Sequence, residues 1–358
     1  MFLLAAALVI ESLQPLRALE VPPHAHVRGV FTYARDAQYE YLGTPRGLHR
    51  AGRLATGTLE RIAEQPVSAL AADTDTLYVG FGLDSEAHGE GHTLHRSQDH
   101  GATFTPIDAG LLDCSLQPWG EPCRYLVSRQ IEVADGRLFV EATGNILASG
   151  DDGATWTQLM GRPVDGKPAS QVCPVVFTRI GTRLLMGGEC PLDFGWIGEG
   201  TLRDDLIDWT TEPRRLGLPI ENRNVHFIRH VGDGVVYASP EGALLKSTDG
   251  GLTWHFVIHY PLSSATRYPY AYHFLVTPRL LVLGGFDKAN TGGYLAYSTD
   301  GGETWADASH LVGNAHVELL VEDADGRLLV GLYEGATFTL AELVLGEREG
   351  SRRRAMRR

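Results

Sequence analysis

An all-β chain folded as a seven-bladed β-propeller is what this sequence predicts, with six blades as the alternative. Three observations carry that expectation. An eight-residue pattern, Ser-x-Asp-x-Gly-x-Thr-Trp/Phe, occurs at 97–104, 149–156, 247–254 and 298–305. A worn copy, Arg-Asp-Asp-Leu-Ile-Asp-Trp at 203–209, fills the gap in the middle. The aspartates Asp99, Asp151, Asp249 and Asp300 then mark a period of about 50 residues, the length of one four-stranded blade. Finally, the 358 residues include 42 Gly and 18 Pro, above the usual combined share of roughly 12%, which means many turns and few long helices.

Seven units begin near Val27, Val67, Val127, Val172, Val225, Tyr272 and Val317. The first runs through Tyr-Glu-Tyr-Leu-Gly-Thr-Pro-Arg-Gly-Leu-His at 39–49 and lacks the eight-residue pattern. The second, third, fifth and sixth carry it intact, and the fourth carries the worn copy. The third shows the whole unit: strands at 127–133, 137–143, 144–149 and 155–159, lettered A to D. The seventh, with Gly-Arg-Leu-Leu-Val-Gly-Leu-Tyr at 326–333, again lacks the pattern. Six blades would result if the two terminal units merged. The pattern itself reads as a C–D hairpin turn: Asp accepts backbone N–H groups, Gly supplies a positive φ, and Thr and the aromatic residue resume the next strand.

This pattern resembles the Asp-box, or BNR, repeat of sialidases, sortilin-type receptors, xyloglucan-processing endoglucanases and photosystem II assembly factors. The resemblance implies a sialidase-superfamily-like propeller in which the boxes are structural. In length, blade number and repeat style the chain is most similar to the assembly-factor type, although the basic patch usual there has no counterpart in its body. A sialidase would use an Arg entering the first inner strand to hold the substrate carboxylate, and Arg28 matches that position. Gly29-Val30 follows in place of Ile-Pro, and His226 and His273 stand where further arginines belong, so sialidase activity is disfavoured. An endoglucanase of the xyloglucan type would be twice as long, and its Asp pair has no match here.

The formal charge is −13, from 31 Lys plus Arg against 44 Asp plus Glu. Five of the arginines (352, 353, 354, 357 and 358) lie in a C-terminal basic tail, so the body is more acidic still. That balance argues against nucleic acid and anionic membranes as partners. The apolar start of the chain is too short to span a bilayer, and no other window is long enough. Residues 1–18 read as a signal peptide cut after Ala18, 19–346 as one propeller domain and 347–358 as a disordered tail, giving a secreted or periplasmic monomer. Four cysteines fit an oxidising compartment. Strands flanking Gly181-Thr182 pair at positions summing to 363, as Cys173 and Cys190 do, which leaves Cys114 to Cys123 as a second disulfide.

The A–B turns and the boxes share one rim. The other rim bears the long connections, 82–93, 106–126, 189–200, 212–224 and 259–271, and is the expected functional face. Aligned on their first residues, the inner strands place Arg28, Ser68, Ser128, Cys173, His226, His273 and Glu318 in one column at the channel mouth. His226, His273 and Glu318 offer acid/base groups, or two imidazoles and a carboxylate for a divalent metal. Arg28 and Arg129 suit an anionic group, and Tyr268, Tyr270, Tyr272 and Tyr333 suit stacking. His88 and His92, in a Gly-rich loop, form a weaker metal candidate. No cofactor is expected. The leading expectation is an exported binding or assembly module for a protein partner or a carbohydrate ligand. The alternative is a glycoside hydrolase or polysaccharide lyase, in which His226 or His273 takes a proton while Arg28 neutralises the substrate carboxylate.

Overall fold

The computed structural model describes residues 8–21, 31–82, 93–108, 128–142, 145–159, 174–189, 195–203, 206–208, 224–261, 263–264 and 266–347. Seven four-stranded antiparallel sheets follow one another around a ring, so the chain is a seven-bladed β-propeller and the six-bladed alternative is set aside. Blade one holds β2 (Thr32–Arg35), β3 (Glu40–Thr44), β4 (Gly47–Ala51) and β5 (Glu60–Ala63); blade two holds β6 (Val67–Ala72), β7 (Leu77–Phe81), β8 (Leu94–Ser97) and β9 (Thr105–Pro106). Blade three comprises β10 (Ser128–Ala134), β11 (Arg137–Ala142), β12 (Asn145–Ser149) and β13 (Thr157–Gln158). Blade four comprises β14 (Pro174–Ile180), β15 (Arg183–Glu189), β16 (Gly195–Arg203) and β17 (Leu206–Asp208). Next come β18 (Val225–Gly232), β19 (Val235–Pro240), β20 (Ala243–Ser247) and β21 (His255–His259), then β22 (Pro269–Val276), β23 (Leu281–Asp287), β24 (Gly292–Ser298) and β25 (Ala306–Asp307). The seventh blade joins β26 (His316–Glu322), β27 (Leu328–Glu334) and β28 (Thr337–Glu347) to β1 (Leu8–Glu20) from the other end of the chain.

Each first strand touches the first strand of the next blade, and β26 closes the circle on β2. The core lies between blades rather than inside one. Tyr41 and Leu48 of blade one pack with Leu70, Leu77 and Val79 of blade two, and Leu319, Leu329 and Phe338 of blade seven pack with Phe31 and Leu42. Alternating apolar residues on each sheet therefore face a neighbouring sheet on both sides, which explains why no blade can stand alone.

The leader expectation meets a different finding here. Residues 8–20 form the outer strand of blade seven, paired with β28 from Leu8↔Glu347 to Glu20↔Thr337. Ile10 is buried, and Leu13, Leu16 and Leu19 pack against the cores on either side of the blade. The apolar run that resembles a leader core thus has the composition of an amphipathic strand, and the described propeller includes Leu8–Glu20. At 13 residues it is a long edge strand. Pro15 and two register shifts, at Glu11 and Leu16, blunt it against pairing with another chain.

The hairpin around Gly181-Thr182 forms in the expected register over most of its length. Pairs sum to 363 from Ile180↔Arg183 to Val176↔Gly187, but a bulge at Val175 sets Pro174 opposite Gly188. All four cysteines lie outside the described residues.

In each box the same bonds recur. In the last copy, Ser298 Oγ donates to Asp300 Oδ1 (2.8 Å), the Gly302 N–H donates to Ser298 Oγ (2.8 Å), and the Thr304 N–H donates to Asp300 Oδ1 (2.9 Å). Two successive positive-φ residues make the turn, Gly301 and Gly302 here but His100 and Gly101 in the first copy. The turn then fastens to the preceding blade. Tyr237 Oη and Lys246 Nζ both donate to Gly301 O at 2.8 Å, while Arg50 Nη1 donates to His100 O at 2.7 Å. The box is an inter-blade clamp.

Hydrogen bonds from Thr and Ser hold Asp99, Asp151, Asp249 and Asp300 ionised, each with its pKa lowered to about 2. Because the folded value lies below the unfolded one, about 3.9, the contribution is complete above the unfolded value and is lost as pH falls toward 2. Urea midpoints should fall across that window. Asp300→Asn should lower the midpoint at neutral pH and shrink the fall at acid pH.

Candidate functional site

Bulges build the channel mouth. Five inner strands shift register after one of their first three residues: between Val67 and Ala69, Ser128 and Gln130, Pro174 and Val176, Ala271 and His273, and Val317 and Leu319. In β18 the shift falls between Val225 and Ile228. A bulged residue leaves the ladder and is re-aimed, which is why bulges gather at binding sites. Counting back from the paired apolar residues that follow (Leu70, Ile131, Phe177, Ile228, Phe274, Leu320), the bulged column reads Ser68, Arg129, Val175, His226, Tyr272 and Glu318. Ser68, His226 and Glu318 hold the places expected of them. Arg129 replaces Ser128 and Tyr272 replaces His273, because the last ladder residue before the bulge is Ser128 in β10 and Ala271 in β22, not Val127 and Tyr272; Cys173 lies outside the described residues. Arg28, His88 and His92 lie outside the described residues.

Around this column runs an arc of rings from blade five to blade one. His226 meets Tyr272 at 4.3 Å and Tyr270 at 5.2 Å between ring centroids. Phe286 meets Tyr270 at 5.1 Å and stacks on His316 at 4.9 Å. His316 pairs in register with Tyr333, whose ring lies 5.8 Å from Phe31. Tyr268 is buried beneath, edge-on to Tyr270 at 5.9 Å. His226 is buried, whereas Tyr270, Tyr272, Phe286, His316 and Tyr333 are part-exposed. Lys288 Nζ donates to Tyr270 Oη at 2.8 Å and adds a cation at the rim.

Glu318 sits between two imidazoles. Its Oε2 is 3.8 Å from His273 Nε2 and its Oε1 is 4.0 Å from His316 Nδ1. These separations are too long for direct hydrogen bonds but suit charge pairing with a protonated imidazole or a bridging water. His273 and Glu318 therefore do come together, and His226 instead joins the tyrosines. Among the described residues no group of three His, Cys, Asp or Glu side chains is placed to hold a metal ion. Arg129 is exposed on the opposite side of the ring, in blade three.

Sequence reasoning missed His316, Phe286 and Glu141. His316 stands two residues before Glu318, and the period-two rule for strands would have put both on one face. Glu141 is fully buried at a second-strand position that is glycine in the flanking blades, Gly80 and Gly187. A carboxylate breaking a glycine column was the available signal.

Fold and repeat together define an Asp-box β-propeller. The BNR/Asp-box repeat family model matches residues 296–307. No curated protein matches the sequence significantly. Among solved structures, the chain is similar to YCF48 from Cyanidioschyzon merolae at 14% identity and TM-score 0.61, covering 91% of this chain and 98% of that one. It is also similar to the GH74 xyloglucanase from Xanthomonas campestris (18% identity, TM-score 0.58), covering 91% of this chain and 53% of that chain. A chain of the mitotic checkpoint complex aligns over 92% of this chain and 91% of its own length, at 12% identity and TM-score 0.60. At these identities the likeness is one of fold.

Proposed function

We propose that the propeller is a binding module that seats a protein partner on the aromatic arc of its long-loop mouth. The arc carries this reading: part-exposed rings spread over blades six and seven, with charged groups at the edges, supply the large, stiff contact area of interface hot spots. The similar chain of the mitotic checkpoint complex, a propeller-like chain within a multi-protein complex, supports the reading by analogy of architecture only. The test is crosslinking capture from native extract with the full chain and with Tyr272→Ala. A partner lost at least about tenfold on Tyr272→Ala, with an unchanged melting curve, is the expected result. Equal capture by both proteins overturns it.

A second reading rests on Glu318 between His273 and His316. That set can pass a proton and suits a polysaccharide lyase better than a hydrolase, because a hydrolase needs a second carboxylate beside the first. Screening acidic and neutral glycans for turnover decides between the readings. Turnover abolished by both His273→Ala and Glu318→Ala would establish the enzyme.

A further inference from the structure

Two of the charged side chains on the inner strands that the mouth does not use stand at one level. Glu132 in β10 and Arg229 in β18 occupy the same step of their strands, one residue past the paired apolar positions Ile131 and Ile228. Arg229 lies three residues beyond His226, about 10 Å down the strand toward the turn rim. Its Nη1 donates to Phe274 O of blade six at 3.1 Å. Among the described residues it has no carboxylate within ion-pair distance, and Glu132 accepts no hydrogen bond.

Solvent reaches both groups: Arg229 is exposed and Glu132 part-exposed. Protein nevertheless surrounds them closely. Burial lowers the Arg229 pKa, against the pull of Glu132. Burial also raises that of Glu132, with Arg179 and Arg229 opposing the rise and Asp135 adding to it. Both stand on the innermost strands of the ring, which in a propeller line the central channel.

A guanidinium has five N–H donors in a planar fork, and Arg229 uses one of them on protein. We propose that Arg229 binds a small oxyanion inside the channel, and that the charge on Glu132 sets the affinity of this site. When Glu132 is ionised it repels the anion, and when it is neutral Arg229 is free to take it. The site is separate from the aromatic arc and does not depend on the partner-binding reading. Groups on the packed strands that share this field are Arg179 of β14, Asp135 at the end of β10, His226 and His230 of β18 and His273 of β22. Protonation of the imidazoles would favour an anion in the same direction, so the Glu132 contribution must be isolated by substitution.

The experiment is calorimetric titration of the full chain with sodium sulfate at constant ionic strength, over about pH 5 to 8, where sulfate keeps its charge. Wild-type protein should bind sulfate more tightly as pH falls. Glu132→Gln should bind several-fold more tightly at the upper end of the range and lose much of the pH dependence. Arg229→Gln should weaken binding by at least about tenfold, the worth of a charged hydrogen-bond pair. Gly150→Ala, whose added methyl meets nothing within 4 Å, should leave sulfate binding unchanged. Acetate as competitor shows whether a planar carboxylate occupies the same place. Equal sulfate affinity in wild type and Arg229→Gln overturns the proposal. Should Arg229→Gln fail to fold, Glu132→Gln decides alone, and an affinity unchanged at the upper pH overturns it.

Discussion

Removing residues 1–20 is expected to bring the propeller to the edge of unfolding. The deletion strips β28 of its outer neighbour along the paired run from Leu8↔Glu347 to Glu20↔Thr337. It uncovers the site of Ile10 and the packing of Leu13, Leu16 and Leu19 against two inter-blade cores. It also removes the Arg17 Nη2 donation to Gly57 O, at 2.7 Å, that ties blade seven to blade one. A fully buried aliphatic side chain contributes about 1.5–3 kcal/mol, so one buried and three half-buried residues amount to on the order of 5 kcal/mol. Domains of this kind have only about 5–15 kcal/mol in total. The urea midpoint should drop sharply, and a peptide of residues 8–20 added in trans should recover much of it. The same measurement bears on export, because cleavage after Ala18 would take all of β1 except Leu19 and Glu20. A truncated chain that unfolds with the intact one would show that the closing strand is dispensable.

That segment also shows what the sequence could and could not disclose. Repetition exposes the blades, because each Ser-x-Asp-x-Gly-x-Thr-Trp run repeats one hairpin with one set of bonds, and even the turn rim could be assigned from it. Closure could not be read the same way. β1 is isolated from its partner strand by the length of the chain, and its apolar run is equally the composition of a leader. The site was legible in type but not in register. No composition signal marks the last ladder residue before a bulge, so His273 was placed where Tyr272 stands and Ser128 where Arg129 stands. The identities that survived, Ser68, His226 and Glu318, are those where the residue used for alignment is also the last ladder residue before the shift. The aromatic arc was half visible as a run of tyrosines at 268, 270 and 272. Phe286 and His316 complete it only through sheet pairing, which no local pattern reports.

Gly285→Ala should test whether this bulge, rather than the side chains alone, makes the mouth. Gly285 pairs with Ala271, immediately before the register shift that frees Tyr272. A Cβ at this position would fall onto the Tyr270 carbonyl oxygen and lie 2.9 Å from Ala271 Cα. Both obstacles are backbone, so no rotamer change relieves them, and β22 itself must move. Overpacking of this kind costs about 2–4 kcal/mol. The strand that must yield carries Tyr270, Tyr272 and His273, so ring contact with His226 should be lost together with stability. Gly150→Ala is the matched control. It has nothing within 4 Å of the added methyl and should stay within about 0.5 kcal/mol of wild type. Urea midpoints measure the first effect and partner capture the second. If Gly285→Ala lost stability but kept full capture, the bulge would be a packing device and the arc would owe its geometry to the rings themselves. If it lost capture well beyond its loss of folded protein, the glycine is part of how this propeller makes its mouth: an absent side chain in the second strand lets the first strand buckle and turn Tyr272 toward His226.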